Sequence, residues 1–282
     1  MERYFEYKDE SLFCHHSIDL CPDAADFYMH AHERMELLLF ISGDASCYVE
    51  GSEYVMAPYD VLIMRSAEVH RTHILSRSPY ERIAVHFSPE LIRSIDPQGL
   101  LLRPFLDRPL GSLNHYGAQQ VESRWLKQAL EGLDKNASGQ RARLRVAAAL
   151  LPLLSEISEV FEKRASSERP EREEGMAAQL VEYINANLFQ EISLKSISRR
   201  FYMSQSQLNR VFGKATGSSL WEYVRIKRLL AAREKIVAGM KPSAACTLCG
   251  FKDYSAFYRA YRDRFGHAPS DELTAAKNTP GT

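Results

Sequence analysis

The chain has 282 residues, 45% of them hydrophobic and 26% charged, and its 36 Lys and Arg balance 36 Asp and Glu. That length suits about two domains, each large enough for a core. No apolar run approaches the ~20 residues that cross a bilayer, the N-terminus MERYFEYKDE lacks the apolar stretch of a signal peptide, and five cysteines form no secreted disulfide framework. A cytoplasmic protein is expected, with no membrane role.

The zero net charge hides a division. Residues 1–174 carry 20 Lys and Arg against 28 Asp and Glu, a net of −8, whereas residues 175–282 carry 16 against 8, a net of +8. A basic half joined to an acidic half is the electrostatic footprint of a nucleic-acid-binding domain attached to something else.

In chain order, residues from about 11 to 90 read as β structure. Glu36–Ile41 is an apolar run ended by Ser42-Gly43-Asp44, and Ala45–Glu50, Tyr54–Met56, Asp60–Met64 and Arg82–Phe87 continue the series. Short strands with turns every eight to twelve residues predict a β-sandwich or barrel. After Pro89 the pattern turns helical, over 117–134 and 141–163. Leu144, Ala147, Ala148, Leu151, Leu154, Ile157 and Phe161 form a stripe at helical spacing, and Pro152 should kink or locally loosen that helix. The stripe suits packing on the β domain or pairing of two copies as a homodimer. Residues 163–174, KRASSERPEREE, are charged and nearly devoid of apolar side chains, which predicts a flexible linker.

From Met176 the chain reads as helical, and it carries one device twice. SLKSISRRFYMSQSQLNRVFGKATG starts at Ser193 and PSAACTLCGFKDYSAFYRAYRDRFG at Pro242. The copies align at a constant offset after the turn (Ser204 with Asp253, Leu208 with Phe257, Arg210 with Arg259, Gly217 with Gly266) and one residue shorter before it, so the second turn holds one extra residue. Leu220–Ala238 is long enough to connect the two units rigidly, with Gly239 closing it. Cys246-x-x-Cys249 lies inside the second copy without a second pair and reads as two small buried side chains.

Each copy has a positioning helix, a turn and a second helix with a polar face. Ser204 and Asp253 are natural N-caps. With Leu208, Val211 and Phe212 inward, Ser206, Gln207, Asn209 and Arg210 project outward. With Phe257, Tyr261 and Phe265 inward, Tyr254, Ser255, Tyr258 and Arg259 do the same. Asn and Gln suit adenine and Arg suits guanine at base edges. Lys214, Arg225, Lys227, Lys252 and Arg262 are candidates for phosphate contact.

These residues carry a resemblance. Ser204, Leu208, Arg210, Phe212 and Gly217, then Arg228, Leu229 and Ala232, and above all Gly250-Phe251-x-Asp253-x-Ser255-x-Phe257-x-Arg259 followed by Arg264-Phe265-Gly266-x-x-Pro269, make residues 176–273 similar to the DNA-binding domain of the AraC/XylS family of transcription regulators. The resemblance implies double-stranded promoter DNA as partner, entry of both second helices into the major groove, and two readings ~34 Å apart on one face of the duplex. An activator with RNA polymerase as a further partner is one expectation; the sequence leaves activation and repression both open. Departures from the family pattern are Ser198 and Cys246 in place of Ala, Tyr202 in place of the turn's Gly, and small residues at Pro242 and Ala245.

In the first half, His30-Ala31-His32, Glu36 and Gly43 resemble the first cupin motif, with His70 at the position of a histidine from the second. In metal cupins such residues bind a divalent transition metal, so the resemblance implies a metal set of His30, His32, Glu36 and His70. The second motif is degraded, with Arg65 and Ala67 in place of Pro and Gly and Tyr59-Asp60 in place of Gly-Asp. In the regulator family the domain usually takes an organic effector, often a sugar, and no cofactor is required. His32, Glu36, Tyr48, His70, Arg82 and His86 are the polar residues expected to point into the barrel toward a polyhydroxylated or anionic small molecule.

The expected fold is therefore α+β in two domains: a cupin-like jelly-roll β-barrel over 1–115, a helical dimerisation segment over 116–163, a linker over 164–175 and an all-α double helix-turn-helix over 176–275. The expected function is a non-enzymatic, effector-responsive, sequence-specific transcription regulator. The alternatives are a metal-dependent cupin enzyme fused to a helical tail, and an adaptor whose helices meet polymerase rather than DNA.

Overall fold

A computed structural model describes residues 2–133, 138–166 and 175–277, which form two compact units, Met1–Gly175 and Met176–Thr282. The first unit contains strands β1 (Glu2–Lys8), β2 (Leu12–Asp19), β3 (Met35–Ser42), β4 (Ala45–Val49), β5 (Ser52–Val55), β6 (Val61–Met64), β7 (His70–Ile74), β8 (Tyr80–Phe87) and β9 (His115–Tyr116). Helices α1 (Pro89–Arg93), α2 (Arg103–Leu106), α3 (Arg124–Leu130) and α4 (Gly139–Ser166) complete it. All ladders are antiparallel. They build a six-stranded sheet in the order β1-β2-β8-β3-β6-β9 and a three-stranded sheet in the order β5-β4-β7.

The apolar run of β3 is explained by burial on both faces. Leu37, Leu39 and Ile41 join Ile83, Val85 and Phe87 of β8 in a core shared with Leu126 of α3 and Val146, Leu150, Leu153, Leu154 and Ile157 of α4. Leu38 and Phe40 look the other way. With Leu62, Met64, Tyr80 and Ala84 they meet Ala45, Cys47 and Val49 of β4 and Ile74 of β7, which fills the space between the sheets.

Four expectations change. The sheets do not close into a barrel: among the described residues the only pairing between the segments beside them is the isolated bridge His30↔His70, and β5 and β9, four and two residues long, are too short to seal the edges. The N-terminal residues expected to precede the β region form edge strand β1, whose Phe5 and Tyr7 are buried in the core. The helix expected over 117–134 shortens to Arg124–Leu130, because the Ala118 amide donates to Asp60 Oδ1 (3.0 Å) and Ser123 Oγ to the Tyr59 carbonyl (2.5 Å), holding those residues in turns; residue 134 lies outside the described residues. α4 runs unbroken through Pro152 to Ser166, so the first residues of the expected linker are helical, while 167–174 lie outside the described residues.

The stripe of α4 is also rotated from the expected phase. Val146, Ala149, Leu150, Leu153, Leu154, Ile157 and Phe161 are buried, whereas Leu144 and Ala148 face outward. The bulk of the helix's apolar face therefore packs on its own unit.

A charged knot closes the far end of β6. Arg108, fully buried, donates from Nη1 and Nη2 to the two oxygens of the fully buried Glu68 (2.7 Å each) and from Nε to the Pro104 carbonyl (2.7 Å). Gly111 N and Asn114 Nδ2 supply further donors to Glu68 at 2.9 and 3.1 Å.

Among the described residues the second unit is built from helices: α5 (Met176–Ala186), α6 (Leu194–Phe201), α7 (Gln205–Thr216), α8 (Leu220–Val237), α9 (Pro242–Leu248), α10 (Tyr254–Phe265) and α11 (Pro269–Lys277). Ser193 and Ser204 head α6 and α7 with reciprocal capping boxes, Asp253 caps α10 by accepting from Ala256 N (2.6 Å), and Pro242 occupies the first turn of α9, where its missing N–H costs nothing. Leu229, Ala232 and Ile236 of α8 pack with Ala245, Cys246, Cys249, Phe257 and Tyr261, so both cysteines are buried core side chains.

Tyr202 ends α6 in the left-handed region (φ 53°, ψ 36°) with its side chain 95% exposed. Left-handed backbone costs a side-chain-bearing residue about 1–2 kcal/mol, and glycine's extra chain entropy returns roughly 0.5–1 of that. Tyr202→Gly should therefore raise the melting temperature of this unit by a few degrees, measured by circular dichroism. An unchanged or lowered melt would mean that the Tyr202 ring makes stabilising contacts that offset its backbone.

Candidate functional site

Two sites emerge, one in each unit. In the second unit, Ser206, Gln207, Asn209 and Arg210 are exposed along α7, opposite buried Leu208 and Phe212. Tyr254, Ser255 and Arg259 are exposed and Tyr258 half-exposed along α10, opposite buried Phe257 and Tyr261. The residues that sequence spacing singled out thus share one face on each helix.

The faces differ in how free their side chains are. Gln207 is committed to the capping box, its Oε1 accepting from Ser204 N at 2.9 Å, so only its amide NH2 remains to donate. Among the described residues Asn209 and Arg210 carry no such side-chain engagement and stand exposed on the helix surface, which leaves them the better readers of α7. Tyr254 and Tyr258 lie with ring centroids 6.5 Å apart and present a broad aromatic surface beside Arg259.

Among the cations assigned to phosphate, Lys214, Arg225, Lys252 and Arg262 are exposed. Arg225 is already paired with Glu222 (2.7 Å) and Lys252 with Glu191. Lys227 corrects the expectation: it is buried on α8 at 9% exposure and does not stand on the cationic surface. Ser198, a departure from the family's Ala, donates through Oγ to the Met203 carbonyl and so fastens the first turn.

In the first unit the polar cluster centres on Glu36, buried between the sheets. His32 Nε2 lies 2.6 Å and His70 Nε2 3.0 Å from Glu36 Oε2, and His86 Nε2 lies 3.9 Å from Oε1. His30 stands against His70, with ring centroids 4.4 Å apart. Donor atoms of His30, Glu36 and His70 converge within 4.8 Å of one another, as do those of His32, Glu36 and His86. His86 and Glu36 are directly opposite each other on β8 and β3. Their register brings together residues fifty positions apart, which no spacing rule announces.

The electrostatics are set by burial and by each other. Burial alone would raise the Glu36 carboxyl; the facing His86, His32 and His70 outweigh it and hold the group well below the usual carboxylate range. Burial pushes His30 down to about 3 and His86 down to about 4, so both are neutral near pH 7. For His70, burial is outweighed by the Glu36 carboxylate, and its pKa rises.

Three imidazoles are oriented from behind. His30, His32 and His70 each direct Nδ1 at a backbone carbonyl, of Tyr28 (3.0 Å), Arg34 (2.7 Å) and Glu68 (2.8 Å). A carbonyl only accepts, so Nδ1 carries a proton; Nε2 donates to Glu36 when protonated, as at His32, and offers a lone pair once that proton is lost, the orientation metal-ligating histidines take. The buried His70 Nε2 makes no hydrogen bond of good geometry despite its nearness to Glu36. Lone pairs crowded on a carboxylate require positive charge between them, supplied by added protons or by a cation. A nitrogen and carboxylate donor set of this kind fits a divalent transition metal.

Arg82 lies on the same face of β8, its guanidinium over the rings of Phe27 (5.4 Å) and Tyr80 (4.8 Å). Tyr48 is the exception among the expected effector residues. It alternates with Cys47 and Val49, which face the inter-sheet core, and sits instead with Arg71 (5.8 Å) and the His73 ring (5.8 Å) on the opposite side of β4. Sequence reasoning missed Phe27, Tyr80 and Thr72 beside the site; the two-residue alternation of β7 and β8 around His70 and His86 was the available signal.

Two family models match: a helix-turn-helix domain over residues 197–274 and an AraC-like ligand binding domain over residues 17–180, more than half the chain. The probable transcriptional regulator LumQ of Photobacterium leiognathi is 35% identical over 89 residues, 31% of this chain and 36% of LumQ. The regulatory protein SoxS of Salmonella typhimurium is 28% identical over 93 residues, 33% of this chain and 87% of SoxS. The match therefore spans little more than a third of LumQ but most of SoxS. The solved structure of ToxT from Vibrio cholerae aligns over 94% of this chain and 98% of its own, at 14% identity and a TM-score of 0.40. The matched relatives are regulators, not enzymes, and the cupin-enzyme alternative loses its support. Among the described residues no helix is long and apolar enough to cross a membrane.

Proposed function

Because the chain belongs to the AraC family of transcriptional regulators, with a helix-turn-helix DNA-binding domain and an AraC-like ligand-binding domain, we propose that it reads promoter DNA with α7 and α10 and takes its effector at the Glu36 cluster. The observation that carries the DNA half is the pair of exposed polar faces on two capped helices set opposite buried cores. Asn209 and Arg210 on α7 supply hydrogen-bonded readout, and Tyr254, Tyr258 and Arg259 on α10 supply apolar contact with one guanine-reading cation. Lys214 and Arg262 hold phosphates.

The effector in this reading is a sugar or related metabolite, bound between the sheets by His32, Glu36, His70, His86 and Arg82 with Phe27 and Tyr80 as apolar walls. Its binding shifts the population of DNA-competent states. The protein acts in the cytoplasm as a homodimer, for which the outward Leu144 and Ala148 of α4 offer a remaining apolar strip, and it activates transcription through contact with RNA polymerase.

A second reading is favoured by the carbonyl-backed imidazoles: the motif residues His30, His32, Glu36 and His70 hold a divalent transition metal. When bound, such an ion supplies Lewis acidity toward oxygen ligands. Glu36 would neutralise its charge, and the Tyr28, Arg34 and Glu68 carbonyls would fix the ring orientations.

The test of the DNA half is footprinting of the full chain on DNA from its own genomic neighbourhood, at several salt concentrations. Arg210→Ala and Arg259→Ala should each relax base preference in a separate half of the protected region, at a cost of about 1–3 kcal/mol. Lys214→Ala should weaken all sequences alike and lower the salt slope by about one. If the two arginine variants instead weaken every sequence equally, the reading role fails.

A further inference from the structure

The fold holds one donor rigidly opposite Glu36 that the motif does not supply. Glu36 and His86 face each other across β3 and β8, and β8 is paired on both sides, to β2 and to β3. His30 and His32 belong to the segment between β2 and β3 that carries no strand; the His30 backbone is held by its bridge to His70 and that of His32 by the Ala67 amide, which donates to the His32 carbonyl (2.8 Å). A ligand pair standing on two hydrogen-bonded strands is preorganised, whereas one on an irregular segment must be ordered each time it binds.

We propose that His32, Glu36 and His86 form a two-histidine, one-carboxylate site for a divalent transition metal of the iron(II) or cobalt(II) type, with His30 left unligated and His70 held beside Glu36 Oε2 (3.0 Å) rather than on the ion. The inference rests on the metal reading above and changes its ligands. His86 lies outside the histidine motif altogether.

The geometry supports this set. Donor atoms on one ion with bonds near 2.0–2.1 Å stand roughly 3–4 Å apart, and His32 Nε2 and His86 Nε2 lie 2.6 and 3.9 Å from the two oxygens of Glu36, with all three donors inside 4.8 Å. The His32 and His86 rings are close, 4.6 Å between centroids, and steeply inclined at 70°, so the two nitrogens approach one point from different directions. His32 is locked by the Arg34 carbonyl behind it.

Three protein donors leave coordination positions open, as in sites that admit a substrate or ligand, whereas a structural ion is enclosed by its ligands. Arg82 stands four residues before His86 on the same face of β8, over Phe27 and Tyr80. An effector with adjacent oxygens, a hydroxy acid or a vicinal diol, would complete the metal's coordination and present its anionic end to Arg82. The site also ties the segment carrying His32 to the central sheet, which gives the ion a route to control that segment's order.

The experiment uses the full chain stripped of metal and titrated with cobalt(II), followed by visible absorption and calorimetry. Wild type should bind one equivalent. His86→Ala should weaken cobalt binding by tenfold or more, about the scale seen when a metal site loses a supporting group, while His30→Ala should stay within about threefold. His86→Cys should gain a thiolate-to-cobalt charge-transfer band, a signal that arises only from direct ligation and does not depend on loss of function. Thermal melts of each variant separate lost ligation from lost folding. If wild type binds cobalt but His86→Cys shows no such band and His30→Ala loses affinity, the motif set is correct and this one is overturned. If wild type binds no cobalt, the metal reading falls with it.

Discussion

Arg108→Ala is expected to destabilise the N-terminal unit by about 3–5 kcal/mol, the usual result of removing one partner from a buried ion pair. The mechanism is an uncompensated charge. Glu68 is fully buried, and its two oxygens receive both Nη atoms of Arg108 at 2.7 Å. Deleting the guanidinium also strands the carbonyls of Pro104 and Ser112, which accept from it at 2.7 and 3.1 Å. For a unit of this size the loss corresponds to a melting temperature lower by roughly 6–20 °C. Arg108→Met combined with Glu68→Met should lose less than Arg108→Ala alone, since a buried pair replaced by apolar side chains of similar volume is often nearly neutral. Urea unfolding read by circular dichroism decides it; a double variant less stable than the single one would show that the pair adds net stability beyond avoiding a stranded charge.

The same pair sets a pH dependence. Burial by itself would raise the Glu68 carboxyl, but Arg108 and the Gly111 and Arg65 amides outweigh it and depress the pKa. A depressed carboxylate contributes stability that is present above its unfolded pKa and is lost as pH falls through the folded one. Acid unfolding of the N-terminal unit should therefore be flatter in Glu68→Gln, at lower starting stability.

Much of this was legible in the sequence because it is local. The apolar run of β3, the turn at Ser42–Asp44 and the repeated helix-turn-helix all depend on periodicity and turn chemistry within a few residues. The capping box of α7 was also written there, as Ser204 followed three residues later by Gln207; taking Gln207 as a base reader overlooked that its carboxamide had a nearer employment. Tyr48 was placed on the wrong face because β4 is buried on both sides, so Ala45 to Val49 shows no alternation to fix its phase. Strand β1 escaped notice since Phe5 and Tyr7 alternate with charged residues at an edge, where one face is wet. The partnership of Glu36 with His86 was beyond reach for a different reason. It is set by the register of two strands far apart in sequence, and only the fold decides which strands become neighbours.

The second large effect is expected from Gly250→Ala, which should destabilise the DNA-binding unit by about 3 kcal/mol or more. Gly250 turns α9 toward α10 at φ +81°, where a side chain costs about 1–2 kcal/mol, and a Cβ there would stand 2.9 Å from Arg228 Cζ and 3.1 Å from the Phe189 carbonyl. Arg228 cannot simply withdraw. Its guanidinium donates to the carbonyls of Leu188 (2.8 Å), Gln190 (2.9 Å) and Gly250 (2.6 Å), holding the end of α5, the loop before α6 and the second turn against α8. Hydrogen bonds from a charged donor contribute about 1.5–3 kcal/mol each, so displacing the fork adds to the backbone strain. Arg228→Lys should reproduce part of the loss, because an ammonium cannot span three carbonyls with fixed planar geometry. Gly213→Ala is the contrast: inside α7 its new Cβ would meet only the Ser218 carbonyl at 3.8 Å, an ordinary contact, and alanine's higher helix propensity should stabilise by up to about 1 kcal/mol. Since Gly250 lies in the turn that aims α10, its variant should also lose protection of the α10 half of the footprint before the α7 half. Equal melting of Gly250→Ala and wild type, or simultaneous loss of both halves, would mean that the second turn does not depend on this lock.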